Sequence, residues 1–144
     1  MRTNVSSVAE DTDAALAIVR REQPKLARRM AETLGSIVIR AEVDGERFEI
    51  AARRDEVGAH PLRTAQAPDV LARTSRATLR AVLDGSKSLD DAILDDSVEL
   101  FGDPDQLVQL EDLLALFVNA AVRSPSMASL WERFVGTTLE ELEQ

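Results

Sequence analysis

One histidine, no cysteine and no tyrosine leave this 144-residue chain few side chains that could move a proton or hold a metal. His60 stands in Gly58-Ala59-His60-Pro61 and would have to be the base of any Ser-His-Asp arrangement. No G-x-S-x-G nucleophile elbow accompanies it, so an exposed or turn histidine is the plainer expectation. Arg73 follows Ala72 and precedes Thr74, on the strand face shared with Leu71 and Ser75. Turned inward, its guanidinium would hold a ligand carboxylate through two parallel hydrogen bonds. Turned outward, it would pair with an Asp or Glu, and that is the expected arrangement. Asp90, Asp91, Asp95 and Asp96 miss the spacing and the glycine of an EF-hand loop, and they read as helix caps and solvated surface. Zero cysteines exclude thiolate zinc sites, disulfides and cysteine nucleophiles. Without a phosphate loop or dinucleotide fingerprint, neither a metal nor a cofactor is expected.

Charge narrows the partners. Seventeen Lys+Arg against 26 Asp+Glu give a net charge of -9, and aromatic residues make up 3% of the chain. That balance repels phosphate backbones and supplies few stacking platforms, so no nucleic-acid partner is expected. Arg20, Arg21, Arg28 and Arg29 form a local basic patch, but Glu22 and Glu32 neighbour it, which points to ion-paired surface. The most apolar run, Leu113 to Val122, is too short to span a bilayer. The first residues lack the basic start and apolar run of a signal peptide, so a cytoplasmic location is expected.

The elements that must position these residues follow from periodicity and caps. Asp11-Thr12-Asp13, Leu16 and Val19 suggest a first helix, and Leu26, Met30 and Leu34 a second, parted or kinked at Pro24. The period then becomes two. Ile37, Ile39, Ala41 and Val43 alternate with charges, Asp44-Gly45 turns, and Phe48, Ile50 and Ala52 alternate again. This predicts an antiparallel hairpin with one wet face. Val57 to Leu62, with its proline, reads as an edge strand. A strand over Val70–Thr74 enters a helix capped by Ser75. Ser88 caps another, and Ser97 to Phe101 is a strand. Asp103-Pro104 starts a long helix to about Val122, apolar enough to predict burial on most sides. Ser124-Pro125 opens a last helix carrying Met127, Leu130, Trp131 and Phe134. Length and continuity predict one compact domain, with a helical segment over 1–34 and an α+β body over 35–144.

From Pro68 the run PDVLARTSRATLRAVLDGSKSLDDAILDDSVELFGDPDQLVQLEDLLALF resembles the sterol carrier protein-2 family. The shared features are a strand ending in Thr-Ser, a helix with a Leu ladder, Gly85 before a second short helix, a strand closing on Phe101-Gly102-Asp103, and the long helix after it. The Ile37–Ala52 hairpin is similar to that fold's opening strands. The resemblance implies a layer of helices on a mixed, mainly antiparallel five-stranded sheet, enclosing an apolar cavity. Its known members bind sterols, fatty acids and acyl-CoA.

Two sets of large apolar side chains are then candidates to line such a cavity: Phe48 and Ile50 from the hairpin, and Phe101, Leu114, Phe117, Val118, Met127, Leu130, Trp131 and Phe134 from the C-terminal half. Taken singly, each reads more simply as core. The resulting expectation is a carrier for a hydrophobic small molecule. Two alternatives stand beside it: a cofactor-independent enzyme using His60 or Arg73 on a hydrophobic metabolite, and a homodimer built on the Ser124–Phe134 helix. The charge makes one test immediate. Duplex DNA at physiological salt should show no salt-sensitive, submicromolar binding in a fluorescence-anisotropy titration.

Overall fold

The computed structural model describes residues 7–62 and 67–132. Two helices come first, α1 (Val8–Glu22) and α2 (Pro24–Leu34), followed by strands β1 (Ile39–Val43), β2 (Glu46–Arg53), β3 (Glu56–Pro61) and β4 (Val70–Thr74). Helices α3 (Arg76–Leu83) and α4 (Leu89–Leu94), strand β5 (Glu99–Phe101) and the long helix α5 (Pro104–Val122) complete the order. A further helix, α6, begins at 127 and runs to the end of the described residues.

The strands form one mixed sheet in the order β3-β2-β1-β4-β5. Only β1 and β4 run parallel; the other three pairings are antiparallel. The fold class expected from the sequence is therefore the observed one. Ile39, Ala41 and Val43 share a face with Phe48, Ala59 and Val70, and this face packs on Val19, Met30 and Leu34 of the first two helices. The opposite face carries Arg40, Glu42, Arg47 and Arg73. Alternation of period two thus divides a helix-covered face from a charged one.

Local chemistry accounts for the boundaries. Ser7 and Glu10 make a reciprocal capping box at the start of α1. Gln23 and Pro24 separate α1 from α2, because proline fits the first turn of a new helix but not the interior of an old one. Asp44 (φ 51°) and Gly45 (φ 87°) both sit in the left-handed region, as a type I′ turn requires. A second such turn joins β2 to β3 through Arg54 (φ 54°) and Asp55 (φ 63°). The sequence carries little sign of it, since arginine has no preference for that conformation.

The acidic residues of the first hairpin tie the sheet to two helices. Asp44 Oδ2 accepts the Arg76 amide of α3 at 3.0 Å. The Glu46 carboxylate accepts the Val8 and Ala9 amides of α1 at 3.0 and 2.8 Å. Each satisfies amide groups that a helix start leaves open, where negative charge is also favoured. At the sheet edge, Asp13 Oδ1 accepts the Ala59 amide at 3.1 Å, and Arg20 Nη1 donates to the Val57 carbonyl at 2.7 Å. Helix α1 thereby occupies outward-facing backbone groups of β3 that would otherwise invite another strand.

One expectation is corrected here. Helix α5 is not buried on most sides: only Leu113 and Ala120 are fully buried, while Val108 is 55% and Val122 82% exposed. The reason is that α5 packs chiefly against α2, which covers one of its faces.

The two tight turns make opposite predictions. Gly45→Val should lower stability by about 1–3 kcal/mol, because a β-branched residue is strained at positive φ. The double change Arg54→Asn, Asp55→Gly should raise it by about 1 kcal/mol, by supplying residues that accept a type I′ turn. Urea denaturation midpoints would read both.

Candidate functional site

A helix whose apolar residues extend beyond one stripe must either be enclosed or leave a surface to something else. In α5, Leu113, Leu116, Phe117 and Ala120 join the core that faces the sheet and α2. Leu114, Ala115, Val118 and Val122 point elsewhere and form the floor of a groove of about 720 Å3. Val82 at the end of α3 and Leu89 at the start of α4 form the opposite wall. Five of the eleven lining residues are polar: Ser88, Asp90, Glu111, Asn119 and Arg123. An apolar floor flanked by polar groups can receive an amphipathic small molecule.

Two ties hold this region in place. Lys87 and Asp95, which flank α4, form an ion pair, and Lys87 Nζ also donates to Ser97 Oγ at 3.1 Å. Ser88 Oγ caps α4 by accepting the Asp91 amide at 3.0 Å. The Lys87 ammonium, with the Ser97 hydroxyl and amide, holds the Asp95 carboxyl down to about 2. At the other end of the groove, Glu22 accepts hydrogen bonds from the Ser126 amide (3.1 Å) and from the Ser126 hydroxyl. Gln23 Nε2 donates to the Arg123 carbonyl at 2.9 Å. The α5–α6 connection is thus pinned to the α1–α2 junction. The Ser126 bonds hold the Glu22 carboxyl below its ordinary range.

The candidate lining residues separate into groups. Leu114 and Val118 line the groove. Phe48 is fully buried in the core, and Ile50, Phe117 and Met127 pack against it. Leu130 is buried and Trp131 half-buried in α6. Phe101 lies across from Leu71, on the sheet face away from the core, and is 49% exposed. Phe134 falls outside the described residues. Val82, Leu89, Ala115 and Val122 line the groove without having been singled out in the sequence. The second apolar stripe of α5 was the available signal.

Arg73 adopts the plainer of its two arrangements. It lies on the charged face, with Nε 3.2 Å from Glu42 Oε1 and its guanidinium 5.7 Å from the Phe101 ring centre. Glu42 also meets Arg47 at 3.8 Å, so the carboxylate is shared across strands. His60 is on strand β3, across from Glu49 on the same charged face, rather than in a loop. Its Nε2 is buried without a hydrogen-bond partner, and its ring lies against Gly58, where a Cβ would come within 2.9 Å of Cε1. Among the described residues no hydroxyl engages it, so none of them forms the pairing that activates a serine. Among the described residues no group of three or more His, Asp or Glu side chains is arranged to hold a metal.

No protein-family model matches the sequence, and no curated protein does. Solved structures do match. The UbiJ-SCP2 ubiquinone synthesis protein superposes with a TM-score of 0.61 at 19% identity, covering 83% of this chain and 96% of that one. The sterol carrier protein domain 2 of Helicoverpa armigera gives 0.59 at 15% identity, over 81% and 96%. Sterol carrier protein 2 from Yarrowia lipolytica in its apo form gives 0.55 at 13%, over 81% and 99%. The chain is thus an α+β protein with helices layered on a mixed five-stranded sheet. More specifically, it has the sterol carrier protein-2 fold that its run from Pro68 resembles.

The tie across α4 has a pH signature. Because the Asp95 carboxyl is depressed in the folded protein, its contribution to stability is complete above the ordinary value of 3.8 and is lost as pH falls towards about 2. Carboxyl-carbon NMR should show Asp95 titrating near pH 2, and Lys87→Met should move it back towards the ordinary range.

Proposed function

We propose that this protein binds and carries an apolar or amphipathic small molecule, held in the groove between α5 and the α3–α4 wall. The observation that carries the proposal is the second apolar stripe of α5, which the described residues leave only partly covered. Apolar ligand surface entering there gains about 0.8 kcal/mol per buried methylene. About ten methylenes would then offset a micromolar dissociation constant before the cost of ordering the chain is counted. The fold supports the same direction, since two of the superposed proteins are sterol carrier proteins and the third a ubiquinone synthesis protein.

Chemistry on the bound molecule draws no support from His60 and Arg73. Both lie on the charged face of the sheet, whereas α5 packs on the other side through Leu113 and Ala120. The carrier reading therefore stands ahead of the enzyme reading. Among the described residues no helix is long and apolar enough to cross a membrane.

Native mass spectrometry of freshly purified protein should find a co-purifying ligand and, in the same spectrum, the number of chains per particle. Calorimetry with a panel of lipids should show saturable binding of at least one. Leu114→Trp and Val118→Trp should each weaken that binding by tenfold or more by filling the groove. Because both positions are only half-buried, the cost in stability should stay under about 1 kcal/mol. Unliganded protein together with an unresponsive panel would reject the proposal.

A further inference from the structure

Helix α5 carries an apolar row on the side away from its buried residues Leu113 and Ala120. Val108, Ala115 and Val122 recur at intervals of seven with Val118 beside them, so they lie nearly in line over about 21 Å. The row is open: Val108 is 55% and Val122 82% exposed, and Ala115 is exposed as well. Charge is divided along the same surface. Asp105, Glu111 and Asp112 occupy its first half and Arg123 its end, all four exposed. None of these side chains enters an ion pair among the described residues. Asp112 and Arg123 are eleven residues apart, about three turns of helix, and so share one flank of the row.

An apolar row with opposite charges at its two ends is complementary to itself when reversed. A two-fold axis across the middle of α5 lays the row of one copy antiparallel on that of another. This symmetry sets each flank beside the same flank of the second copy, so Arg123 of each arrives at the carboxylates of the other. A parallel pairing would oppose carboxylate to carboxylate, which is unfavourable. Ala115, near the centre, is small enough for the two helices to approach closely.

We infer that the outer row of α5 is the docking surface for a second copy of this chain. The two helices pair antiparallel through Val108, Ala115 and Val122, with Arg123 of each copy meeting Glu111 and Asp112 of the other. Self-association is thereby placed on α5 and not on the Ser124–Phe134 helix, whose Leu130 is buried within the chain. The surface shares Ala115 and Val122 with the groove lining, but the inference does not depend on the carrier reading.

Sedimentation velocity of the full chain over a wide concentration range should show a monomer–dimer equilibrium. A single short helix pair predicts a dissociation constant of about tens of micromolar. Val122→Asp should weaken association by about tenfold or more, because a carboxylate then enters the apolar row. Arg123→Glu, and separately the pair Glu111→Lys, Asp112→Lys, should each weaken it by setting like charges together at both ends. All three reversals in one chain should restore it, since cation and carboxylate have then only exchanged ends. Every substituted side chain is exposed, so the variants should keep the parent's melting temperature. A monomer at about 500 µM, well above the expected constant, overturns the inference. So does a dimer indifferent to Val122→Asp, or a triple variant that associates no better than its components. Saturable lipid binding in any of these cases leaves the carrier reading standing. A dimer with the expected variant pattern in a protein that binds no lipid sustains this inference and rejects the carrier reading.

Discussion

The first β-hairpin is the constraint on which the rest of the architecture depends. Asp44 and Gly45 turn the chain through two left-handed residues, and this sets the register that places Ile39, Ala41 and Phe48 on one face. A slip of one residue would send those side chains to the charged face and Arg40 and Glu42 into the core. The same hairpin places the Asp44 and Glu46 carboxylates at the starts of α3 and α1. One turn therefore links strand register to the seating of helices far apart in sequence. Burial of Phe48 and capping of α1 are consequences of a single local geometry.

From that frame the groove follows by steric accounting. Helix α2 covers one side of α5, and β4 leads through Ser75 directly into α3, whose start is held at the hairpin by Asp44. The α3–α4 wall approaches α5 without closing on it. The Lys87–Asp95 pair braces that wall, and Glu22 with Ser126 holds the far end of α5. These polar ties are mostly exposed, so each adds little to stability. Their effect is to brace each side of the groove separately, the α4 wall by one pair and the end of α5 by the other.

The charged face of the sheet illustrates how position, more than residue type, decides a role. Arg73 has the chemistry to hold a carboxylate, and it does hold one, that of Glu42 on the neighbouring strand. His60 has the chemistry of a base, yet its buried Nε2 has no partner and its ring rests on the Gly58 backbone. Neither lines the groove, and neither is paired with a nucleophile among the described residues. The apolar groove lies along α5, whereas the other face of the sheet carries these ion-paired side chains.

Much of this was legible in the chain because it rests on local physics. Alternation at Ile39–Val43 and Phe48–Ala52, the Asp44-Gly45 turn, and the caps at Ser75, Ser88 and Asp103 each follow from residues a few positions apart. Leu114 and Val118 were likewise recognisable as large apolar residues on a long helix. The second tight turn, at Arg54-Asp55, was not, because tertiary pairing of β2 with β3 overrides arginine's own preference. Nor could periodicity say which stripe of α5 would be covered. Leu113 and Leu114 are chemically identical neighbours, and one lies in the core while the other lines the groove. That distinction depends on where α2 and the α3–α4 wall stand relative to α5. Contacts between distant residues, such as that of Gln109 with the Thr33 carbonyl 76 positions away, set those places, so only the tertiary structure could decide it.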